Sequence, residues 1–494
     1  MYRSRPKGKL DKDTLNFLSS GRADLGILHY DIIGSEAHCI MLYEVGILAL
    51  PELKEIIQLL EEVKIKPEIL SSYGFEDIHE SVEAFVIERA GMSIGGKMQT
   101  GRSRNDQVIL DIRMKIRDDI NHVCSEIADL IDVLLTKATE NKETIMPMYT
   151  HLQQAQIGTF SHYLLSYADA LFRDLDRLHM AYGRINRSPL GASAVGGSSI
   201  NINRNRTATL LGFDGIIKNS IDATSSRDCL LEFTGVLTIM IMTLSRMAED
   251  LILWSTNEFG YIDISEEHSS TSSAMPNKRN PDPLELIRSK AGLVLGNLVA
   301  VATILKALPS GYSRDLQDLK PVLWQVSDTA IDVLRMMNRI MKLLVIHKER
   351  MQEVANNSYA ISIDIAERLV VKKKMPFRLA HRLVGSLVHT AAFQNNIPLT
   401  KLREDEIRSV MEKNEFNLEP QELMQIITEV TPRNALQFRL SAGSPNPKEQ
   451  QEMISCSKSR LLQYKKETLR LRMCVEEAFD KLGLSLETYL NTCE

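Results

Sequence analysis

The chain has 494 residues, 44% of them hydrophobic, which is too long for one ordinary core and predicts two or three domains. Lys and Arg number 59 against 64 Asp and Glu, a net charge of -5, which excludes a general nucleic-acid or anionic-membrane binder and leaves any anionic ligand to local basic groups. Six cysteines (Cys39, Cys124, Cys229, Cys456, Cys474 and Cys493) lie far apart, with no CxxC pair and no matching histidine cluster, so reduced thiols and no metal are expected.

The N-terminal MYRSRPKGKLDKD is basic, but no apolar stretch follows it as a secretory signal requires, and the C-terminal YLNTCE matches no retention or lipidation signal. A cytoplasmic location is the expectation. Residues 1–105, rich in turns and polar loops, are read as a mostly helical N-terminal domain. From Asp106 onward Ile116, Ile120, Val123, Ile127, Leu130 and Leu134 recur at spacings of four and three, the period of a bundle seam. Four more helical segments are predicted, at about 151–183, 228–259, 283–308 and 321–348, so 106–350 is read as a central bundle of long helices. Its most apolar run, LLEFTGVLTIMIMTL (230–244), is interrupted by Glu232 and threonines and falls short of the roughly 20 residues that span a bilayer, so it reads as a buried core helix with no membrane partner. The stretch Leu284 to Leu308 is apolar nearly all round and needs neighbours on every side, which predicts a homo-oligomer sharing its helical core. Beyond about 350 a separate amphipathic unit begins, read as a small C-terminal helical domain over 351–494. The expected fold class is all-α, three domains around a central bundle that assembles with those of other subunits.

Four polar clusters stand at the ends of the predicted helices: QTGRSRNDQ (99–107), YTHLQQAQ (149–156), SSTSSAMPNKRNPDPLELIR (269–288) and GYSRDLQDLK (311–320). In the third, Asp282 at the N-cap, Pro283 at the first helical position and Glu285 at N3 form a helix-start signal. The free N–H groups of that helix end, with Lys278 and Arg279 beside them, make 269–281 either an anion-binding loop or a solvated serine-rich connector. Taken singly, the other clusters read as capping residues or charged turns. Together they exceed chance capping, because helix ends can converge on one pocket.

SSAMPNKRNP resembles the signature loop of the fumarase and aspartase superfamily of lyases, and RSRNDQ, YTHLQQAQ, YSRDLQDLK and FRLAH (377–381) resemble, in that order, the motifs of the argininosuccinate lyases. DIIGSEAH (31–38), EDIHESVE (76–83), PLGASAVGG (189–197) and AEDLILWSTNEFG (248–260) extend the resemblance over nearly the whole chain. It implies the reversible elimination of argininosuccinate to arginine and fumarate, a step of arginine biosynthesis, without a cofactor. A proton leaves the carbon next to a carboxylate, and the resulting dianionic aci-carboxylate must be met by preorganised donors, each typically worth about 3 kcal/mol of barrier.

The resemblance also assigns roles. Ser272 is implied as general base, its alkoxide stabilised by Lys278 and the nearby helix N-terminus. Lys278, Asn280 and the loop N–H groups would meet the aci-carboxylate, while His151, paired with Glu285, would protonate the leaving guanidine or orient the substrate. Ser103, Arg104, Asn105 and Thr150 fall to the succinyl carboxylates, and Ser35, Asp77, Tyr312, Gln317 and Lys320 to the arginine end, with Asp77 the acid that meets its cationic groups. A homotetramer is implied, with each active site built from clusters on more than one chain.

Three positions depart from the family pattern. Gln99 stands where histidine is usual, Ile157 where proline is usual, and Thr271 where glycine would allow freer backbone angles, so altered loop closure is expected. SSAMPNKRNP is also close to the loop of adenylosuccinate lyase, which performs the same elimination on a nucleotide; THLQ, RSRND and YSRDLQ favour argininosuccinate lyase. A catalytically silent structural protein on this fold, as among lens crystallins, is the third reading, and retention of Ser272, His151, Lys278 and Glu285 weighs against it.

Overall fold

The computed structural model describes residues 11–73 and 76–492; the basic residues 1–10 and Cys493 lie outside the described residues. The fold is all-α, with three two-stranded sheets and one isolated Ser188–Ile216 bridge as the extended pairings among the described residues. The first bundle helix, Arg104–Glu140, starts where the sequence supplies a capping box: the Ser103 hydroxyl accepts from the Asn105 N–H and the Asp106 carboxylate from the Ser103 N–H. All six seam residues from Ile116 to Leu134 are fully buried. The other bundle helices are Phe160–Ile185, Asp228–Trp254, Asp282–Leu305 and Leu319–Leu343.

Three expectations need correction. The segment predicted to be helical from 151 begins as an antiparallel hairpin, Ile145–Thr150 with Gln153–Thr159, and the helix starts only at Phe160, after Thr159 caps it by accepting from the His162 N–H. The hairpin wins because Ile145 and Ile157 bury their side chains in a separate core and the turn is made by His151 and Leu152, both left-handed (φ 54 and 57). Asp282 is the first helical residue and not the N-cap; its carboxylate accepts from the Ser270 hydroxyl, so it ties down the serine loop instead of the helix end. The run 230–244 belongs to a helix of 27 residues; by length and composition alone, that helix and Asp282–Leu305 are each able to cross a bilayer.

Those two helices differ in burial. The apolar stretch of Asp228–Trp254 is 56% buried within the chain and that of Asp282–Leu305 only 17%, with Leu286, Leu293, Leu295 and Val299 exposed. Buried hydrophobic residues among the described residues divide into two cores. The large one takes in the bundle and the helices Leu28–Glu44, Leu50–Ile65 and Ile78–Ala90; the small one joins Ile145 and Ile157 of the hairpin to residues between Ala355 and Leu436. The last helix, Pro447–Asn491, runs back along the bundle and sets Ile454, Leu461, Leu482 and Leu486 into the large core. Of the five described cysteines, Cys39, Cys124 and Cys229 are buried and Cys456 and Cys474 exposed, all unpaired.

Candidate active site

One group of sequence-predicted residues gathers at the start of the first and fifth bundle helices. Asp77 caps helix Ile78–Ala90, accepting from the Glu80 N–H at 2.8 Å, and its other oxygen takes the Arg104 guanidinium at 2.7 Å. Burial pushes the Asp77 carboxyl up, but the His79 and Arg104 charges and the Glu80 N–H outweigh it and hold the group below the usual carboxylate range. Asn105 donates to the Ala194 carbonyl at 2.9 Å, and Ser35 accepts from Arg102 at 3.0 Å. Lys320, nearly fully buried, donates to the Asp24 carboxylate and to Ser20, while Gln317 donates to the Leu18 carbonyl at 3.0 Å. Tyr312 lies among these charges, close enough to feel Arg227, Arg314, Asp77 and Asp24, and burial raises its phenol. The result is a cluster of acids, cations, hydroxyls and amides in which Arg104, Asp77, Asn105, Tyr312 and Gln317 are partly exposed and Ser35, Asp24 and Lys320 are buried behind them.

Beneath it lies a buried ionic network. His79 Nδ1 is 3.0 Å from Asp31 Oδ1 and 3.7 Å from Asp111 Oδ2, and Gln107 donates to Asp31 at 2.5 Å. Burial alone would lower the imidazole, but the Asp31 charge and hydrogen bond, with Asp111 and Asp77 behind them, lift it to about 9. Burial and the neighbouring Asp31 drive Asp111 well above its ordinary value. Asp31, His79 and Asp111 present ligand atoms within 4.8 Å of one another, yet 3.0 Å between Nδ1 and Oδ1 is a hydrogen-bond separation, and a charged imidazole between two carboxyls accounts for the cluster. Gln99, the histidine position of the family, accepts from Arg102 at 2.5 Å and donates to Gln107 at 3.1 Å, so it links the Arg102–Ser35 contact to this network.

A second group lies elsewhere. Thr150 and His151 occupy the exposed tip of the hairpin, whose Tyr149 hydroxyl is 2.5 Å from that of Tyr261. The signature loop is itself a small hairpin, Ser270–Thr271 paired with Arg279–Asn280, so Thr271 sits in extended backbone where a β-branched residue is at home. Within it the Ser272 hydroxyl accepts from the N–H groups of Ala274 (3.3 Å) and Met275 (3.0 Å), and its own N–H donates to the Lys278 carbonyl at 3.1 Å. Lys278 and Glu285 are exposed, and Asn280 donates to Ser270 at 3.5 Å. Both elements touch the turn after helix Asp228–Trp254, through Tyr261 and through the Arg279–Asp263 ion pair at 3.2 Å.

The helices set the distance between the groups. Arg104–Glu140 begins in the first group and ends just before the hairpin; at about 1.5 Å per residue its 37 residues span about 55 Å. Asp282–Leu305 begins at the signature loop and ends just before Tyr312, and its 24 residues span about 36 Å. Ser272 and His151 therefore stand at the opposite end of the chain's bundle from Arg104 and Lys320.

Sequence reasoning assigned no role to Asp24, Asp31, His79, Arg102 or Asp106. Asp31, His79, Arg102 and Asp106 stand inside motifs already singled out, DIIGSEAH, EDIHESVE and RSRNDQ, so their place in those motifs was the available signal; Asp24 had none.

A family model described as "Lyase" matches residues 5–296, more than half of the chain, and one described as "Argininosuccinate lyase C-terminal" matches 359–431. Argininosuccinate lyase of Nitrosopumilus maritimus is 48% identical over 92% of this chain and 93% of its own length, and that of Methanocaldococcus jannaschii 39% identical over 99% of each. Among solved structures, EDDS lyase in complex with formate superposes with a TM-score of 0.89 at 30% identity, covering 95% of this chain and 93% of its own. The class II fumarase of Schistosoma mansoni, at 18% identity and a TM-score of 0.69 over 83% of this chain and 90% of its own, shares the fold.

Proposed function

The chain belongs to the argininosuccinate lyase family and is a carbon–nitrogen lyase, and from that premise we propose how its residues perform the reversible elimination of argininosuccinate to arginine and fumarate. The observation that carries the substrate assignment is the mixed chemistry of the first group. Argininosuccinate bears three carboxylates, a guanidinium and an ammonium; part-exposed Arg104 and Asn105, with the more deeply set Lys320 and Ser35, offer donors for the former, and Asp77 an acid for the latter.

Ser272 is the general base in this reading. The Ala274 and Met275 N–H groups aimed at its oxygen supply stabilisation of an alkoxide at the oxygen itself, which supports the role more directly than the helix end first considered. Lys278, Asn280 and backbone N–H groups meet the charge of the aci-carboxylate, and His151, with Glu285, serves the leaving guanidine. Ser103, Arg104, Asn105 and Thr150 bind the succinyl carboxylates; Ser35, Asp77, Tyr312, Gln317 and Lys320 bind the arginine end.

These roles require residues from opposite ends of a bundle, so one site takes clusters from more than one chain, and a homotetramer is the assembly proposed. The uncovered apolar face of Asp282–Leu305 supports it, because exposed Leu286, Leu293, Leu295 and Val299 find partners on neighbouring copies. Arginine biosynthesis in the cytoplasm belongs to the same reading.

The test is fumarate release, followed by ultraviolet absorbance, from argininosuccinate and from adenylosuccinate in parallel. Product from the first alone is expected. Product from the second alone would transfer the assignment to the nucleotide substrate, and silence in both would leave a structural protein.

A further inference from the structure

The segment 189–199 and the carboxylate that anchors it have no part in the roles given above. Asp106, fully buried in the first turn of Arg104–Glu140, accepts on one oxygen from the Ser103 N–H at 2.8 Å and on the other from the N–H groups of Gly191 (2.8 Å) and Ser193 (2.7 Å). One side chain thus fastens the RSRN turn to a loop more than eighty residues further on. Arg204 holds the loop from its other side, donating to the carbonyls of Leu190 at 2.8 Å and Pro189 at 3.0 Å. Between these ties Ser193 is left-handed (φ 58), a conformation that a non-glycine residue keeps only where its surroundings impose it.

The tip that results is open and sits in a telling place. Ala194 and Val195 are exposed, and a Cβ added at Gly196 or Gly197 would meet nothing within 4 Å. The Ala194 carbonyl takes the Asn105 amide at 2.9 Å, while Val195 Cγ2 lies 3.9 Å from where a Cβ would stand on Gly311, next to Tyr312. Val195 therefore lies between the residues assigned to the succinyl carboxylates and those assigned to the amino-acid end. What joins those ends in argininosuccinate is the guanidinium followed by a chain of methylenes, and the methylenes want an apolar wall.

Resting on the lyase reading above, we propose that the Ser193–Gly197 tip is a wall of the substrate site, with Val195 the specificity-determining contact for the methylene chain and Asp106 the positioning residue that holds the tip in place. Asp106 touches no substrate; it acts by fixing the Ser103 and Ser193 backbone relative to each other.

The experiment compares wild type, Asp106→Asn and Val195→Trp in the assembled enzyme. Both variants are expected to raise KM for argininosuccinate about tenfold, about 1.4 kcal/mol, with a smaller change in kcat. Val195→Trp is also expected to weaken competitive inhibition by arginine while leaving that by fumarate as in wild type, a selectivity that general destabilisation would not produce, whereas Asp106→Asn, which also loosens the Ser103 turn assigned to the succinyl carboxylates, is expected to weaken both. Val195→Trp changes an exposed side chain, so it carries the test if Asp106→Asn fails to fold. An active wild type with Val195→Trp at wild-type KM and arginine inhibition overturns the assignment alone. An inactive wild type overturns the lyase reading and this assignment with it.

Discussion

Arg104 and Asp77 face each other across 2.7 Å, so a cation assigned to the succinyl carboxylates and an acid assigned to the arginine end are bonded to one another before any substrate is present. The pair is partly buried, and Asp77 keeps its charge because the His79 and Arg104 charges and the Glu80 N–H outweigh the effect of burial. It sets the orientation of Arg104 in advance of binding and joins the two halves of the substrate surface.

Changing Asp77 to Asn removes the charge but keeps the shape and the cap to Glu80. Losing a charge-assisted bond of roughly 1–3 kcal/mol is expected to raise KM for argininosuccinate about tenfold or more, while circular dichroism remains that of wild type. Steady-state kinetics at several substrate concentrations decides it; an unchanged KM would remove Asp77 from the arginine end.

Ser272→Ala leaves the Ser270–Asn280 and Thr271–Arg279 pairings of its hairpin in place, so folding and assembly are expected to persist. Loss of a general base lowers kcat by about 10²–10⁴-fold. Fumarate absorbance under saturating substrate reads this directly, and near-normal turnover would withdraw the base assignment.

Because Ser272 and Arg104 stand at opposite ends of one bundle, Ser272→Ala and Arg104→Ala subunits, each inactive alone, are expected to recover activity when dissociated and reassembled together. Some mixed sites would then draw both intact residues from different chains. Recovery no greater than the sum of the parents would show that each site belongs to one chain.

Val299 is 57% exposed on the apolar helix Asp282–Leu305. A lysine there forces a charge into any interface that covers this face, so Val299→Lys is expected to shift the assembly toward smaller species in light scattering and to lower activity with it. A variant that retained the wild-type mass would place the subunit interface elsewhere.

The His79 network predicts a pH dependence of stability. Its imidazole, lifted to about 9 in the folded chain against about 6.5 when free, contributes stability that is fully present below about 6.5 and is lost as pH rises through about 9. Asp31, held below the ordinary carboxylate range despite burial, acts in the other direction, with a contribution lost on acidification below about 4. Urea unfolding should therefore show the midpoint falling between pH 6.5 and 9.5 in wild type, with a flatter profile in His79→Gln. Parallel profiles for the two proteins would assign the alkaline loss to other groups.

The sequence by itself determined the bundle, its seam and the polar clusters. A period of four and three across Ile116 to Leu134 has one way to be buried, and Ser103 with Asp106 spells out a helix start that the fold keeps. Local signals failed where a long-range contact overruled them. Asp282 reads as a cap but bonds to Ser270 twelve residues earlier, and 151–159 reads as helix but forms a hairpin because Ile145 and Ile157 are claimed by a core built from residues beyond 354. Only the tertiary structure decided which clusters meet. Asp77 and Arg104, and Lys320 and Asp24, are neighbours because helix ends converge, and no local spacing encodes that. The same geometry sets Ser272 and His151 apart from them, because a helix is rigid and its length fixes how far its two ends stand from each other.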